Sequence, residues 1–180
     1  DDSELLAAGR EVGGPALTLN LLGRFLARAH GGDIRRRDLV EFEEADRQTQ
    51  GGTTFKMLAA FDNWFSRGGD FGARRLAVLR LLGLFDRPAE ADCLAALRQP
   101  PVIEGLTEAL FMWCTDAATA VSARQPLADE DWSETVSFLA EFNLIALQHR
   151  PLSEYSIDCH PLVREYFAKH LREQDLDLDV

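Results

Sequence analysis

The sequence has little cysteine and no long apolar run. Its three cysteines, Cys93, Cys114 and Cys159, are widely spaced and form no C-x-x-C pair, so reduced and buried thiols are favoured over a disulfide framework. No apolar stretch approaches the roughly 20 residues needed to cross a bilayer. The first residues, DDSELLAAG, have neither the basic start nor the apolar stretch of a signal peptide. A cytoplasmic protein without a membrane partner is therefore expected.

Basic residues are also scarce. The chain has 19 Lys and Arg against 30 Asp and Glu, which gives a formal net charge of -11. Such a charge repels polyanions such as DNA and anionic membrane surfaces. The basic cluster of Arg35, Arg36 and Arg37 is surrounded by acids, so a solvated helix face is the simpler interpretation of it. Nucleic acid is therefore not an expected partner.

Apolar side chains are abundant. Hydrophobic residues make up 46% of the 180 positions, enough to bury a core in one large domain or two small ones. Residues 1–70 predict a small bundle of helices separated by glycine pairs, without strand signals. The predicted helices of this bundle cover residues 3–12, 15–30, 33–48 and 53–64. We expect Thr53 or Thr54 to cap the last of them.

A domain boundary is predicted at SRGGDFG, residues 66–72. Paired glycines weaken the continuation of a helix and lower the cost of unusual backbone angles, so Gly68 and Gly69 are the hinge candidates. The division gives a helical domain over residues 1–70 and a second domain over residues 71–180.

The second domain predicts the element order of a winged helix. Its predicted elements are a buried helix over ARRLAVLRLLGLF, a helix from Pro88 through Leu97, a helix near residues 106–113, a helix capped by Asp129 and ending near Asn143, two strands over NLIALQHR and EYSIDCH, and a final helix from Pro161. The segment DAATAVSARQPL predicts an irregular insertion. The expected fold class is mainly α: a small helical bundle followed by a winged-helix domain with one β-hairpin.

The stretch EYSIDCHPLVREYF joins the last strand to the last helix. Pro161 suits the first helical position, so His160 falls at or beside the N-cap. Histidine is a poor cap, whereas Ser, Thr, Asp or Asn would stabilise the helix start by about 1 kcal/mol relative to alanine. A helix start attracts anions and a neutral histidine can add a donor, so phosphate binding is one hypothesis. The alternative is that His160 packs against the hairpin and hydrogen-bonds a carbonyl.

Several stretches resemble one protein family. GGPALTLNLLGRFL, followed by a winged helix that ends in DCHPLVREYF, is similar to the carboxy-terminal part of the nucleotide-binding module of STAND ATPases, which include the NB-ARC proteins. HGGDIRRRDLVEFEEADRQTQGG and AVLRLLGLFDRPA resemble bacterial members that carry helical-repeat sensors. The resemblance covers almost the whole chain.

The resemblance implies a nucleotide site shared with another domain. It assigns nucleotide contacts to Gly14 and Pro15, with Pro15 beside the adenine, and a contact with the β-phosphate of ADP to His160. The family's common Met-His-Asp is CHP here, so Pro161 replaces an aspartate whose contacts are not carried over. The implied partners are an upstream nucleotide-binding domain, a downstream helical-repeat sensor and, on activation, other subunits.

The catalytic motifs of an ATPase do not occur in this chain. It has no G-x-x-x-x-G-K-[ST] phosphate loop and no apolar strand that ends in acids, so it is not expected to hydrolyse ATP alone. ADP or ATP is expected in the intact protein, with no cofactor and no metal in this segment alone.

Two other functions remain open. A protein-docking module would share the fold without a nucleotide contact at His160. A DNA-binding winged helix is less favoured because the presumed recognition helix begins with acids where DNA binding needs Lys and Arg. These acids are Asp129, Glu130, Asp131 and Glu134.

Overall fold

The computed structural model describes residues 16–29, 31–32, 51–115, 122–149 and 155–177. Within these ranges the chain is mainly helical with short antiparallel strands, as predicted. The helices are α1 (Ala16–Ala29), α2 (Gly52–Ser66), α3 (Gly69–Gly83), α4 (Ala91–Leu97), α5 (Asp129–Glu141) and α6 (Pro161–Asp177). The strands are β1 (Ala89–Glu90), β2 (Phe111–Thr115), β3 (Ser122–Pro126), β4 (Ala146–His149) and β5 (Tyr155–Asp158). The helices predicted over residues 3–12 and 33–48 lie outside the described ranges.

Elements α3, β1, α4, α5, β4, β5 and α6 follow the order of a winged helix. Strand β5 lies at the centre of a three-stranded antiparallel sheet, between β1 and β4. Ile157 of β5 pairs with Ala89 on one side and with Leu147 on the other, and Ile157 and Ala89 are fully buried. Strand β1 was not predicted, since two residues are too few to show an alternating pattern. None of the helices in the described part of the chain is both long and apolar enough to cross a membrane.

Strands β2 and β3 form a second hairpin, which was not predicted, and they pair antiparallel along their whole length. The prediction of a helix near residues 106–113 is wrong, because only Glu108–Leu110 forms a 3-10 turn before the chain extends into β2. The hydroxyl of Thr107 accepts the N–H of Ile103 at 2.8 Å, which closes a turn in place of a helix start. Strand β3 lies in the stretch that was predicted to be irregular. The described ranges therefore contain two hairpins where one was expected.

Helix α2 begins at Gly52 with Gly51 as its N-cap, and not with Thr53 or Thr54 as the cap. Gly51 has a φ of 80°, a left-handed conformation that glycine adopts without steric cost. Both threonines are buried, and Thr54 Oγ1 lies 2.7 Å from Thr18 Oγ1 of α1. The hydroxyl of Thr54 therefore joins two helices and does not cap one.

Helices α4 and α5 also start differently from the predictions. Helix α5 begins at Asp129 itself, so Asp129 is not the cap, and its carboxylate accepts a hydrogen bond from Arg98 at 2.8 Å. Helix α4 begins at Ala91 and not at Pro88, because β1 occupies the two residues before it. The predicted end of α5 near Asn143 is confirmed, and Asn143 itself has a φ of 56°.

A continuous core connects the helices on both sides of the predicted boundary. Aromatic rings from α1, α2 and the end of α5 lie within it and form an aromatic cluster. The members of this cluster are Phe25, Phe61, Trp64, Phe65, Phe138 and Phe142. Phe61 of the first block meets Phe142 of the second edge to face, with ring centroids 5.6 Å apart. Such pairs contribute about 0.5 to 1.5 kcal/mol each beyond the burial of their area.

Two glycines allow helices to approach each other closely. A Cβ on Gly72 would lie 1.8 Å from the carbonyl oxygen of Phe65, so α2 and α3 meet backbone to backbone. A Cβ on Gly83 would lie 2.8 Å from the amide nitrogen of Ala168, which gives the same kind of contact between α3 and α6. The break between α2 and α3 falls within the predicted hinge, and the division into two domains there stays a prediction.

Candidate functional site

His160 lies between β5 and α6, immediately before Pro161, which starts the helix. Its carbonyl oxygen accepts the N–H groups of Val163 and Arg164 at 2.9 and 3.1 Å. Its imidazole Nδ1 accepts the N–H of Leu162 at 3.2 Å. The side chain therefore caps the first turn of α6, and the predicted position of His160 at the N-cap is confirmed.

The hydrogen bond of the imidazole fixes which nitrogen of the ring is protonated. Because Nδ1 uses its lone pair for the Leu162 amide, the proton of the neutral ring is on Nε2. The side chain is exposed, so this Nε2–H is a donor that a ligand can reach. An exposed histidine that accepts an amide N–H does not support the alternative of a packed histidine bound to a carbonyl.

Asp158 connects the end of β5 to the start of α6 around His160. Its Oδ1 accepts the N–H of Cys159 at 2.8 Å and an N–H of the Arg164 guanidinium at 2.7 Å. The side chains of Arg164 and Asp158 are only 18% and 28% exposed. The buried Nε of Arg164 has no hydrogen-bond partner among the described residues. One carboxylate thus holds both ends of the short loop that carries His160.

The neighbour of this histidine, Cys159, is a buried thiol. Burial raises the pKa of the Cys159 thiol, and the nearby Arg164 guanidinium only opposes this rise. A protonated thiol is a poor nucleophile, so Cys159 has the packing role that the sequence predicted. The same prediction is wrong for Cys93, which is exposed, and Cys114 is half-buried.

The start of α2 lies beside the start of α6. A Cβ on Gly51 would lie 3.0 Å from Cδ2 of Leu162, and one turn further along, the rings of Phe55 and Tyr166 are 5.9 Å apart. The two helices therefore run parallel, with their N-termini at the same end. Each N-terminus carries partial positive charge, so the surface next to His160 favours an anion over a cation.

Helix α5 takes the place of the recognition helix in a DNA-binding winged helix. Its first turn carries Asp129, Glu130 and Asp131, and its sequence contains no Lys or Arg. Asp131 also pairs with Arg74 at 3.1 Å, and the Arg74 side chain is only 11% exposed. A DNA phosphate that approached this helix would meet carboxylates first, so α5 offers no cationic face to DNA.

A cleft of about 580 Å³ lies between the start of α3 and the β2–β3 hairpin. Trp113 of β2 lines it and is 68% exposed, and Phe71 on the first turn of α3 is 51% exposed. The guanidinium of Arg124 lies over the Trp113 ring, 5.1 Å from its centroid. Exposed aromatic side chains of this kind are typical of protein contact surfaces.

The structure places one of the three predicted site residues. Gly14 and Pro15 lie outside the described ranges, so their positions relative to His160 stay predictions. Asp158 and Arg164 were not predicted, although an acid at the last strand position and an arginine in the first helical turn could have indicated them. Among the residues that the structure describes, no group of three or more His, Cys, Asp or Glu could hold a metal ion.

No protein-family model matches this chain, and no curated protein matches it. The resemblance to STAND ATPases therefore rests on the sequence stretches quoted above, and the function that they imply is a proposal.

Proposed function

We propose that this chain is the regulatory helical and winged-helix segment of a STAND-type signalling ATPase, which closes over ADP held by an upstream nucleotide-binding domain. The observation that carries the proposal is the exposed His160 at the start of α6, whose Nδ1 accepts the Leu162 N–H and so leaves Nε2 as the donor of the neutral ring. The resemblance supplies the ligand, because it assigns to His160 a contact with the β-phosphate. ADP and ATP are then ligands of the intact protein, and this segment is not an enzyme by itself.

A diphosphate suits the chemistry around His160. The Nε2–H gives a directed hydrogen bond to a phosphate oxygen, while the adjacent N-termini of α2 and α6 add partial positive charge. The chain as a whole carries a formal net charge of -11, which repels phosphate. A phosphate therefore binds best where the local charge is positive, as at the N-termini of α2 and α6. In this proposal Gly14 and Pro15 contact the adenine end of the same nucleotide.

The switch requires that ADP and ATP bind the closed state differently. A hydrogen bond to a charged group contributes about 1.5 to 3 kcal/mol, whereas inverting a strongly biased two-state equilibrium takes about 5.5 kcal/mol. His160 therefore supplies part of the difference, and other subunits or the downstream sensor supply the remainder. Exchange of ADP for ATP shifts the β-phosphate contact and frees the winged-helix domain for oligomerisation.

The test is the affinity of the intact protein for ADP and ATP, measured by calorimetry with and without His160→Ala. We expect ADP to bind about 10- to 100-fold more weakly to the variant, with ATP affinity little changed and oligomers forming more readily. The matched control is His170→Ala, which removes an imidazole within α6 whose ring centroid lies 4.4 Å from that of Tyr166. This control should keep the ADP affinity of the unmodified protein.

A protein-docking module is the second candidate function. The exposed Trp113 beside the cleft of about 580 Å³ favours this function, because an exposed aromatic surface can bind another protein without a nucleotide. It predicts that His160→Ala leaves both the ADP affinity and the oligomeric state unchanged. DNA binding is disfavoured by the acidic α5. Only a stable complex of the chain with duplex DNA at physiological salt would support it.

A further inference from the structure

The loop that carries His160 is held by an ion pair to which the proposed function gives no role. We propose that Asp158 and Arg164 are positioning residues that keep the His160 imidazole in the orientation in which Nδ1 faces the helix and Nε2–H faces outward. The inference rests on the proposed function only for the identity of the ligand that this donor would meet.

The backbone on both sides of His160 is tied to one oxygen atom. Asp158 Oδ1 accepts the N–H of Cys159 at 2.8 Å, which fixes the Asp158–Cys159 peptide, one residue before His160. The same oxygen accepts from Arg164 at 2.7 Å, which fixes it to the first turn of α6. The carbonyl of His160 is in turn bound by the amides of Val163 and Arg164. The residue therefore lies between two anchored peptides.

The ring needs this anchoring more than an ordinary cap would. An imidazole is rigid and has two nitrogens of opposite character, one acceptor and one donor in the neutral form. Its Nδ1 reaches the Leu162 amide at 3.2 Å, a long hydrogen bond that a small shift of the backbone would break. Once Nδ1 is released, either nitrogen of the neutral ring can carry the proton, and the outward donor is no longer fixed.

Because the ion pair is largely buried, its loss would disturb the loop that carries His160. Arg164 and Asp158 are 18% and 28% exposed, so removal of the carboxylate leaves a largely buried cation without its partner. Two substitutions separate the hydrogen bonds that Asp158 Oδ1 accepts from Cys159 and from Arg164. Asp158→Asn keeps an oxygen that can accept the Cys159 N–H but removes the charge that holds Arg164. Asp158→Ala removes both bonds, together with the one that Oδ2 accepts from Gln148 at 3.4 Å.

The experiment is nuclear magnetic resonance of the full chain without nucleotide. Long-range proton–nitrogen spectra report which ring nitrogen of His160 is protonated, and hydrogen exchange reports the protection of the Leu162 amide. We expect Asp158→Asn to move the shifts of the two ring nitrogens towards each other and to speed Leu162 exchange about tenfold. Asp158→Ala should do so further, while the amide of Leu79 in the buried α3 keeps a larger share of its protection.

The matched control is Asp131→Asn, the same substitution in an ion pair of similar burial. Arg74 and Asp131 are 11% and 31% exposed and join α3 to α5. This variant should lose comparable stability and leave the ring of His160 unchanged. If Asp158→Asn behaves in the same way, with the ring nitrogens and Leu162 exchange unaltered, the pair is only structural and the inference is overturned.

The readout distinguishes this inference from the proposed function. The resonance experiment uses no nucleotide. If ADP affinity does not depend on His160, the proposed function is contradicted, but the result on the positioning of the imidazole still stands. Conversely, if the imidazole of the Asp158→Asn chain is unchanged, the positioning role is contradicted, and the ADP test with His160→Ala still tests the proposed function.

Discussion

His160 combines a cap for the helix start with a donor that extends away from the backbone. The helix start needs an acceptor that faces the Leu162 amide, and a phosphate needs a donor that faces solvent. A neutral imidazole has one of each, and the structure directs Nδ1 to the amide. An aspartate would satisfy the amide at least as well but has no donor when ionised, and the single O–H of a serine lies close to the backbone and does not reach outward as Nε2–H does. In the proposed function, this accounts for a histidine at a position where better caps exist.

Substitution of His160 by serine keeps a helix cap but removes the donor that the imidazole extends away from the backbone. Serine is a strong N-cap, so the free energy of unfolding of His160→Ser should equal that of the unmodified chain or exceed it by up to about 1 kcal/mol. His160→Ala, which has no capping group, should lose about 0.5 to 2 kcal/mol. Urea denaturation of the three chains measures both changes. A serine variant as unstable as the alanine variant would show that the ring stabilises the helix start by something other than capping.

At this scale the sequence predicted a position but not the contacts around it. Pro161 fixes the first helical residue through its ring geometry, so the N-cap at His160 followed from local chemistry alone. The pair of Asp158 and Arg164 did not follow, because it depends on how the chain turns from strand to helix. Thr54 was wrong as a cap for the same reason, since its hydroxyl binds Thr18 on another helix.

Among the elements, α3 packs closely against two of its neighbours. It meets α2 at Gly72 and α6 at Gly83, at distances where a Cβ would collide with backbone atoms. These contacts need glycine for space and not for an unusual backbone angle, because neither residue has a positive φ. The sequence alone did not predict the contacts at Gly72 and Gly83, because they depend on how the three helices pack together.

A methyl group at Gly72 should therefore be costly. Its Cβ would lie 1.8 Å from the carbonyl oxygen of Phe65, a backbone atom that cannot move alone, so we expect Gly72→Ala to destabilise the chain by about 3 kcal/mol or more. Gly23→Ala is the control, since nothing lies within 4 Å of a Cβ at that position in α1. It should stabilise the chain by about 0.5 to 1 kcal/mol through helix propensity. Equal effects in thermal denaturation would contradict the close packing of α2 and α3.

Strand predictions succeeded where the pattern was long and failed where it was short. The hairpin expected over NLIALQHR and EYSIDCH is confirmed as β4 and β5. Strand β1 consists of Ala89 and Glu90 only, and its pairing with β5 is a tertiary contact that no local pattern contains. Strand β3 carries the polar residues Ser122, Arg124 and Gln125, so its sequence shows no apolar alternation.

At the scale of the whole molecule, the aromatic cluster joins the two blocks that the sequence separated at residue 70. Phe61 and Phe65 of α2 share this cluster with Phe138 and Phe142 at the end of α5. A rotation about Gly68 and Gly69 that parted the blocks would have to open these contacts. In the proposed switch, such a movement therefore needs a driving force beyond the nucleotide contact of His160.

The cluster also predicts how the chain unfolds. Phe142 is only 1% exposed, so Phe142→Ala should lower the free energy of unfolding by about 3 to 5 kcal/mol. Because the cluster spans both blocks, calorimetry should show one transition in the unmodified chain and one, at lower temperature, in the variant. Phe71→Ala is the control, since Phe71 is 51% exposed and should change stability by no more than about 0.5 kcal/mol. Two separate transitions, with only one shifted by Phe142→Ala, would contradict a shared core.

The most direct test of the proposed switch is the ADP affinity of the intact protein carrying His160→Ser. Serine keeps the helix cap, and its short hydroxyl does not reach as far from the backbone as Nε2–H does, so a loss of affinity measures the loss of the outward imidazole donor. We predict that ADP binds about 10- to 100-fold more weakly at unchanged stability, while ATP affinity stays within about twofold. Equal ADP affinities in the serine variant and the unmodified protein would contradict a phosphate contact at His160 and leave the docking module as the better account.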